Sequence, residues 1–126
     1  MKMKKEVMSV NIEDFIDCPV EGFWQDKPVT FMTTMAGAEK NISAPHMIAT
    51  LLHHLEIRNG QHFLLIGSKG GYLAAILDQL IGINGIVTII EPHNEVLEHT
   101  RDALENYKSK GIIRVLSSSS MDYFED

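Results

Sequence analysis

Two short segments carry the residue types from which a small-molecule site can be built. The run Leu64-Leu65-Ile66-Gly67-Ser68-Lys69-Gly70-Gly71-Tyr72 ends an apolar stretch in a glycine-rich turn. Such a turn lets backbone amides and a helix N-terminus come close to a polar ligand. Glu91 closes a second apolar stretch, about 20 residues after the turn, where a carboxylate can accept both hydroxyls of a ribose. Together the turn and the acid favour an adenosine ligand. Each also has a purely structural reading: glycine serves any tight turn, and an acid ahead of a helix stabilises it through the helix dipole. A dinucleotide fingerprint starting at Gly67 would need glycines where Lys69 and Tyr72 stand, and the glycine-lysine-serine/threonine triplet of a phosphate loop is absent, so neither NAD nor ATP is favoured.

Other reactive side chains lack the spacing their chemistry needs. His46, His53, His54, His93 and His99 do not recur one helical turn apart in a way that would set two ligands over one ion, so no metal site is expected. Ser68 sits among glycines without the spacing of a nucleophile elbow. Cys18, beside Pro19, has no cationic neighbour in sequence to favour its thiolate.

The turn and the acid must be placed by flanking elements. Phe63–Ile66 reads as a short strand buried on both faces, Tyr72–Ile81 as a helix stopped by Gly82, Asn84 and Gly85, and Ile86–Ile90 as a second buried strand ending at Glu91. Asn94–Tyr107 reads as an amphipathic helix stopped by Gly111, and Ile112–Leu116 as a third strand. Strand-helix-strand-helix-strand demands a parallel sheet with crossover helices. Upstream, a short helix is predicted near Ile12–Asp17, then loop to Pro28, and a strand from Val29 that Ala36 and Gly37 end. Ser43-Ala44-Pro45 reads as a helix start with the Ser43 hydroxyl as cap; the helix runs to about Leu55, with Asn59-Gly60 as its stop. Residues 1–40 form an N-terminal helix and loop segment and residues 41–126 a partial α/β domain, on one core.

Composition narrows the classes. The 126 residues and 14.2 kDa suit one core, and the 44% apolar and 22% charged shares are those of an ordinary globular chain. A net charge of −6 has the wrong sign for neutralising phosphates, which disfavours a nucleic-acid partner. No apolar stretch approaches the roughly 20 residues of a membrane span, and Met1-Lys2-Met3-Lys4-Lys5 is not followed by the apolar core of a signal peptide. With a single cysteine, a reducing cytoplasmic setting is expected.

Three strings, in this order and spacing, resemble one family. Asn41-Ile42-Ser43-Ala44-Pro45-His46-Met47, then Leu64 to Tyr72, then Gly85-Ile86-Val87-Thr88-Ile89-Ile90-Glu91 resemble the protein-L-isoaspartate O-methyltransferases. Phe23-Trp24-Gln25-Asp26-Lys27-Pro28 looks like that family's aromatic-acidic-proline segment, and the likeness runs from about Phe15 to Glu125. The resemblance implies a Rossmann-like methyltransferase fold that binds S-adenosylmethionine and transfers its methyl group to the carboxylate of damaged aspartyl residues, a protein-repair reaction. It implies Ser43 as the active-site hydroxyl, His46 as a neighbour of the cofactor pocket, Gly67, Ser68, Gly70 and Gly71 as the loop around the methionine moiety, and Glu91 as ribose acceptor.

The departures from that pattern are specific. Leu65 stands where the family has an acid, Lys69 replaces the middle glycine of the turn, and Ser117-Ser118-Ser119 replaces a glycine-acid-glycine triplet. Losing two charged hydrogen bonds at about 1.5–3 kcal/mol each would weaken cofactor binding by about two to four orders of magnitude. The family's remaining strands are also absent up to Asp126, so the half-sheet is incomplete and Phe63–Ile66 becomes an apolar edge expected to recruit a second copy or a companion chain. Two functional readings follow: a carboxyl methyltransferase completed by a second half or partner, acting on protein or peptide substrates, or a catalytically inactive methyltransferase-like binding or assembly module.

Overall fold

A computed structural model describes residues 9–118. Its centre is a three-stranded parallel sheet, β3 (His62–Ile66), β4 (Ile86–Glu91) and β5 (Ile112–Ser117), in spatial order β3-β4-β5. The register sets Leu64 beside Thr88 and Arg114, and Ile66 beside Ile90 and Leu116. The crossovers are the helices α3 (Tyr72–Ile81) and α4 (Asn94–Glu105), as the alternation of apolar periods predicts. The third strand reaches Ser117; Ser119, the last residue of the serine triplet, lies outside the described residues, as does the basic run at positions 1–5.

Side chains alternate across a strand, and here one set carries the core. Phe63, Leu65, Val87, Ile89, Ile113 and Val115 pack with Ala74, Ala75, Leu77 and Ile81 of α3 and Val96 of α4. The expectation that β3 is buried on both faces is corrected. It pairs with β4 alone, and Leu64 and Ile66 of its other face are 50% and 61% exposed. The apolar run is real, but among the described residues nothing covers its second side.

The N-terminal residues close the core from the end nearest the glycine turn. A 3-10 turn at Ile12–Phe15 and a one-turn helix α1 (Glu21–Trp24), in a stretch that reads as loop, bury Ile12, Phe15 and Phe23. Phe23 meets Tyr72 edge to face at 5.6 Å and Trp24 at 5.0 Å, and Phe15 tilts against Tyr72 at 5.9 Å. Burial pushes the Tyr72 phenol up to about 12. The His99 ring donates from Nε2 to the Phe15 carbonyl at 2.7 Å and tilts against Phe31 at 5.2 Å, which fixes the N-terminal turn on α4. Β1 (Val29–Thr33) ends two residues sooner than the run to Met35 suggests and folds back on β2 (Glu39–Ile42), a hairpin with a register shift between Thr30 and Met32. Polar Glu39-Lys40-Asn41 hides β2 from a hydropathy reading.

Helix α2 (Pro45–His54) follows. Its end falls where the sequence puts it, with Leu55 as C-cap, but the stop is a left-handed φ of 49° at Glu56 rather than Asn59-Gly60. Its start differs too, since Ala44 is the capping position and no side chain of the cap residue bonds the first turn.

Among the described residues the most deeply buried carboxylate belongs to Asp78, in α3. It accepts the Tyr107 hydroxyl at 2.6 Å and the Lys110 and Gly111 amides at 2.8 Å each, tying α3 to the turn before β5. Gly111 is required there by close approach, because a Cβ would collide with the carbonyl oxygens of Gly85 and Gly82. Truncating Asp78 removes the acceptor shared by three donors, so Asp78→Ala is expected to cost about 3 kcal/mol in urea denaturation. A loss within about 0.5 kcal/mol, the range of an ordinary surface change, would show that this tie does not hold β5 in place.

Candidate functional site

The turn after β3 and the last residue of β4 meet at the carboxyl edge of the sheet, where open parallel sheets bind ligands. Glu91 is 6% exposed. Its Oε1 accepts the Ser68 amide and the Ser68 hydroxyl, both at 2.8 Å, and its Oε2 accepts the His93 amide at 3.0 Å. Thr100 of α4 donates to Ser68 Oγ at 2.7 Å, so a chain of hydroxyls runs from α4 through the turn to the carboxylate. A carboxylate can be this buried because charge-assisted hydrogen bonds, two from backbone, replace its water. Glu91 thus holds the His93 amide at the head of α4, as the structural reading of this acid expects.

Beside Glu91, His93 Nδ1 is buried without a hydrogen-bond partner among the described residues. Buried polar atoms are nearly always paired, so this nitrogen is an open hydrogen-bonding position next to the carboxylate.

The residues of the loop from Gly67 to Gly71 divide by role. Gly67 has φ +91° and lines the cavity described below, and a Cβ there would meet nothing within 4 Å. Gly70 and Gly71 are buried with φ of +81° and +95°; a Cβ would come within 3.0 Å of Phe31 at the first and 3.3 Å of Leu104 and Thr100 at the second. These two glycines let the hairpin and α4 close over the turn. Lys69, exposed just before these two glycines, adopts φ +44°, a conformation glycine holds without penalty and lysine does not.

A cavity of about 300 Å³ lies between α2 and the end of β3, with Ser43, Met47, Leu51, Leu65, Ser68 and Lys69 among its walls. It brings together three residues the sequence singles out, Ser43, Gly67 and Ser68, and among the described residues Lys69 is the only charged side chain lining it. Leu65 makes that wall apolar.

His46 is elsewhere. Its amide donates to Asp26 Oδ1 at 2.9 Å and its ring Nδ1 lies 3.0 Å from the same carboxylate, with 60% of the side chain exposed. Asp26 therefore does what a Ser43 hydroxyl was expected to do, satisfying a free amide in the first turn of α2. Only its place within the Phe23–Pro28 segment hinted at this. The His46 amide first, and then its ring, hold the Asp26 carboxyl below the usual aspartate range. Among the described residues no three His, Cys, Asp or Glu side chains converge on a metal position, and no helix is long and apolar enough to cross a membrane.

Comparison with known proteins places this arrangement. The family model described as protein-L-isoaspartate(D-aspartate) O-methyltransferase matches residues 2–125. A protein-L-isoaspartate O-methyltransferase of Methanothrix thermoacetophila is 31% identical over 102 residues, 81% of this chain and 46% of the relative. A solved protein-L-isoaspartate O-methyltransferase superposes on 92% of this chain with a TM-score of 0.80 at 19% identity, and 37% of that protein is covered. A Plasmodium falciparum structure described as a protein-L-isoaspartate O-methyltransferase in complex with S-adenosyl-L-homocysteine gives a TM-score of 0.56 at 18% identity, over 90% of this chain and 62% of its own. The chain spans about half the length of the curated relatives it matches.

Two outcomes test this geometry. Lys69→Gly relieves a left-handed lysine and is expected to raise stability by about 1 kcal/mol in urea; a destabilised variant would mean the lysine side chain holds the turn. Because the folded Asp26 carboxyl titrates below its unfolded value of about 3.9, its contribution is complete above that pH and disappears as pH falls through the lower, folded value. Asp26→Ala should therefore lower the melting temperature at pH 7, with the gap to wild type closing near pH 2. A gap that persists in acid would contradict the carboxylate cap.

Proposed function

The chain belongs to the protein-L-isoaspartate O-methyltransferase family, and from that premise we propose that it carries the S-adenosylmethionine-binding half of a carboxyl methyltransferase acting on aspartyl side chains of proteins or peptides. The observation that carries this reading is the convergence of Ser43, Gly67 and Ser68 on one cavity at the carboxyl edge of the sheet. The unpaired His93 Nδ1 beside Glu91 supports a polar ligand there.

In this reading S-adenosylmethionine supplies an activated methyl group on sulfur, which a substrate carboxylate oxygen accepts to form an ester, leaving a neutral thioether. The protein's part is proximity and orientation. Gly67 and Ser68 receive the methionine moiety, with Lys69 facing its carboxylate. Glu91 would hold the ribose by accepting from its hydroxyls, in exchange for hydrogen bonds it now receives from the protein. Ser43, across the cavity on the segment leading into α2, faces the substrate carboxylate. Gly70 and Gly71 act by letting the loop close, and His46 acts through Asp26 on the start of α2. Association through the Phe63–Ile66 edge, with a second copy or a companion chain, completes the proposal; the acidic surface supports a protein partner rather than nucleic acid, and the lone cysteine a reducing cytoplasm.

Isothermal titration with S-adenosylhomocysteine tests it. Wild-type chain is expected to bind weakly, in the range of tens to hundreds of micromolar set by its missing acids, and Lys69→Gly to change that affinity measurably. An absence of heat for both proteins at high micromolar ligand would remove the reading for this chain.

A further inference from the structure

The cavity beside the glycine turn carries charge of one sign. Its walls are Lys69, two serines, Gly67 and otherwise apolar side chains, Leu65 and Met47 among them, with no carboxylate among the described residues. Neither ion pair of the described residues, His46 with Asp26 or His99 with Asp17, includes Lys69. Glu91, joined to the turn through Ser68, is not one of the walls, and its hydrogen bonds come from Ser68 and His93. The Ser68 hydroxyl is already bonded on both sides, donating to Glu91 and accepting from Thr100. Lys69 holds a left-handed φ of +44° at this place, and backbone strain of that kind clusters at ligand-binding turns. Beside apolar walls its charge is felt more strongly than it would be in open water.

We propose that this cavity selects adenosine thioethers by the charge at the far end of the thioether chain, accepting a carboxylate opposite Lys69 and rejecting an ammonium group. This selectivity rests on the reading of the cavity as the methionine end of a nucleoside site, and adds to it the sign of charge the ligand must carry. A methionine moiety brings both groups. With Leu65 an apolar wall, the carboxylate finds a partner in Lys69, whereas the ammonium finds no acid and is repelled by the same lysine. A thioether with the acid and without the amine therefore fits better than S-adenosylhomocysteine itself. Because Lys69 is exposed, solvent screens the effect, and the preference for acid over amine is expected to be about tenfold.

Isothermal titration of the full chain with three ligands tests this: S-adenosylhomocysteine, its analogue without the amino group, and its analogue without the carboxylate. The acid-only ligand is expected to bind about tenfold more tightly than the amine-only ligand, with S-adenosylhomocysteine between them. The spread should shrink in about 1 M salt, where the screening length falls to about 3 Å. Lys69→Gln should level the acid-only and amine-only affinities, and Lys69→Glu should reverse their order, each variant being checked for an intact fold by its urea midpoint. The salt series on the unaltered chain decides even where a variant unfolds. Equal binding of the three ligands, a spread that salt does not reduce, or an unchanged order in folded Lys69→Glu would overturn the charge selection while leaving the adenosine site standing. Heat from none of the three ligands would remove that site and the selectivity with it.

Discussion

Everything at the carboxyl edge depends on one buried carboxylate. Glu91 ends β4, and by holding both the amide and the hydroxyl of Ser68 it fixes the first residues of the turn leaving β3. Through His93 it also fixes the head of α4, and through Ser68 it is joined to Thr100 in that helix's body. Three elements distant in sequence are thus oriented by a single charge. The cavity beside the turn takes its shape from the same network, because Ser68 is at once a wall of the cavity and the donor to Glu91. A ligand that engages Glu91 must exchange hydrogen bonds with the scaffold, so occupancy of the site and the local integrity of the sheet draw on the same acceptor atoms.

The α/β order was legible because it rests on local signals. Apolar runs closed by Gly67 and Glu91, and helix-forming stretches closed by Gly82 and Gly111, leave few alternatives to alternating strands and helices. Long-range pairing was much less visible. Glu39–Ile42 carries polar residues on a short strand, and only its partner Val29–Thr33 makes it one. Nor could the glycine-rich turn reveal that Gly70 and Gly71 are required by Phe31, Thr100 and Leu104, residues about 30 to 40 positions away, while Gly67 alone faces open space. The spacing of glycines shows that backbone comes close to something, not to what.

The start of α2 shows the same limit. Ser43-Ala44-Pro45 has the composition of a helix start, yet the amide of His46 is satisfied by Asp26, brought from the N-terminal segment. A cap supplied from so far along the chain couples the position of α2, and of Ser43 just ahead of it, to the packing of Phe15 and Phe23 on Tyr72. Residues that a reading along the chain treats as an appendage are therefore part of what shapes the cavity wall.

That coupling passes through the chain's only tryptophan. Trp24 is 65% exposed, stands two positions before Asp26, and rests edge-on against Phe23, which in turn touches Tyr72 at the exit of the glycine turn. An indole half in water and half against a ring is sensitive to small changes in either contact. The protein thereby contains an intrinsic fluorophore whose emission reports the conformation of the turn, with no competing indole to dilute the signal and no label to attach.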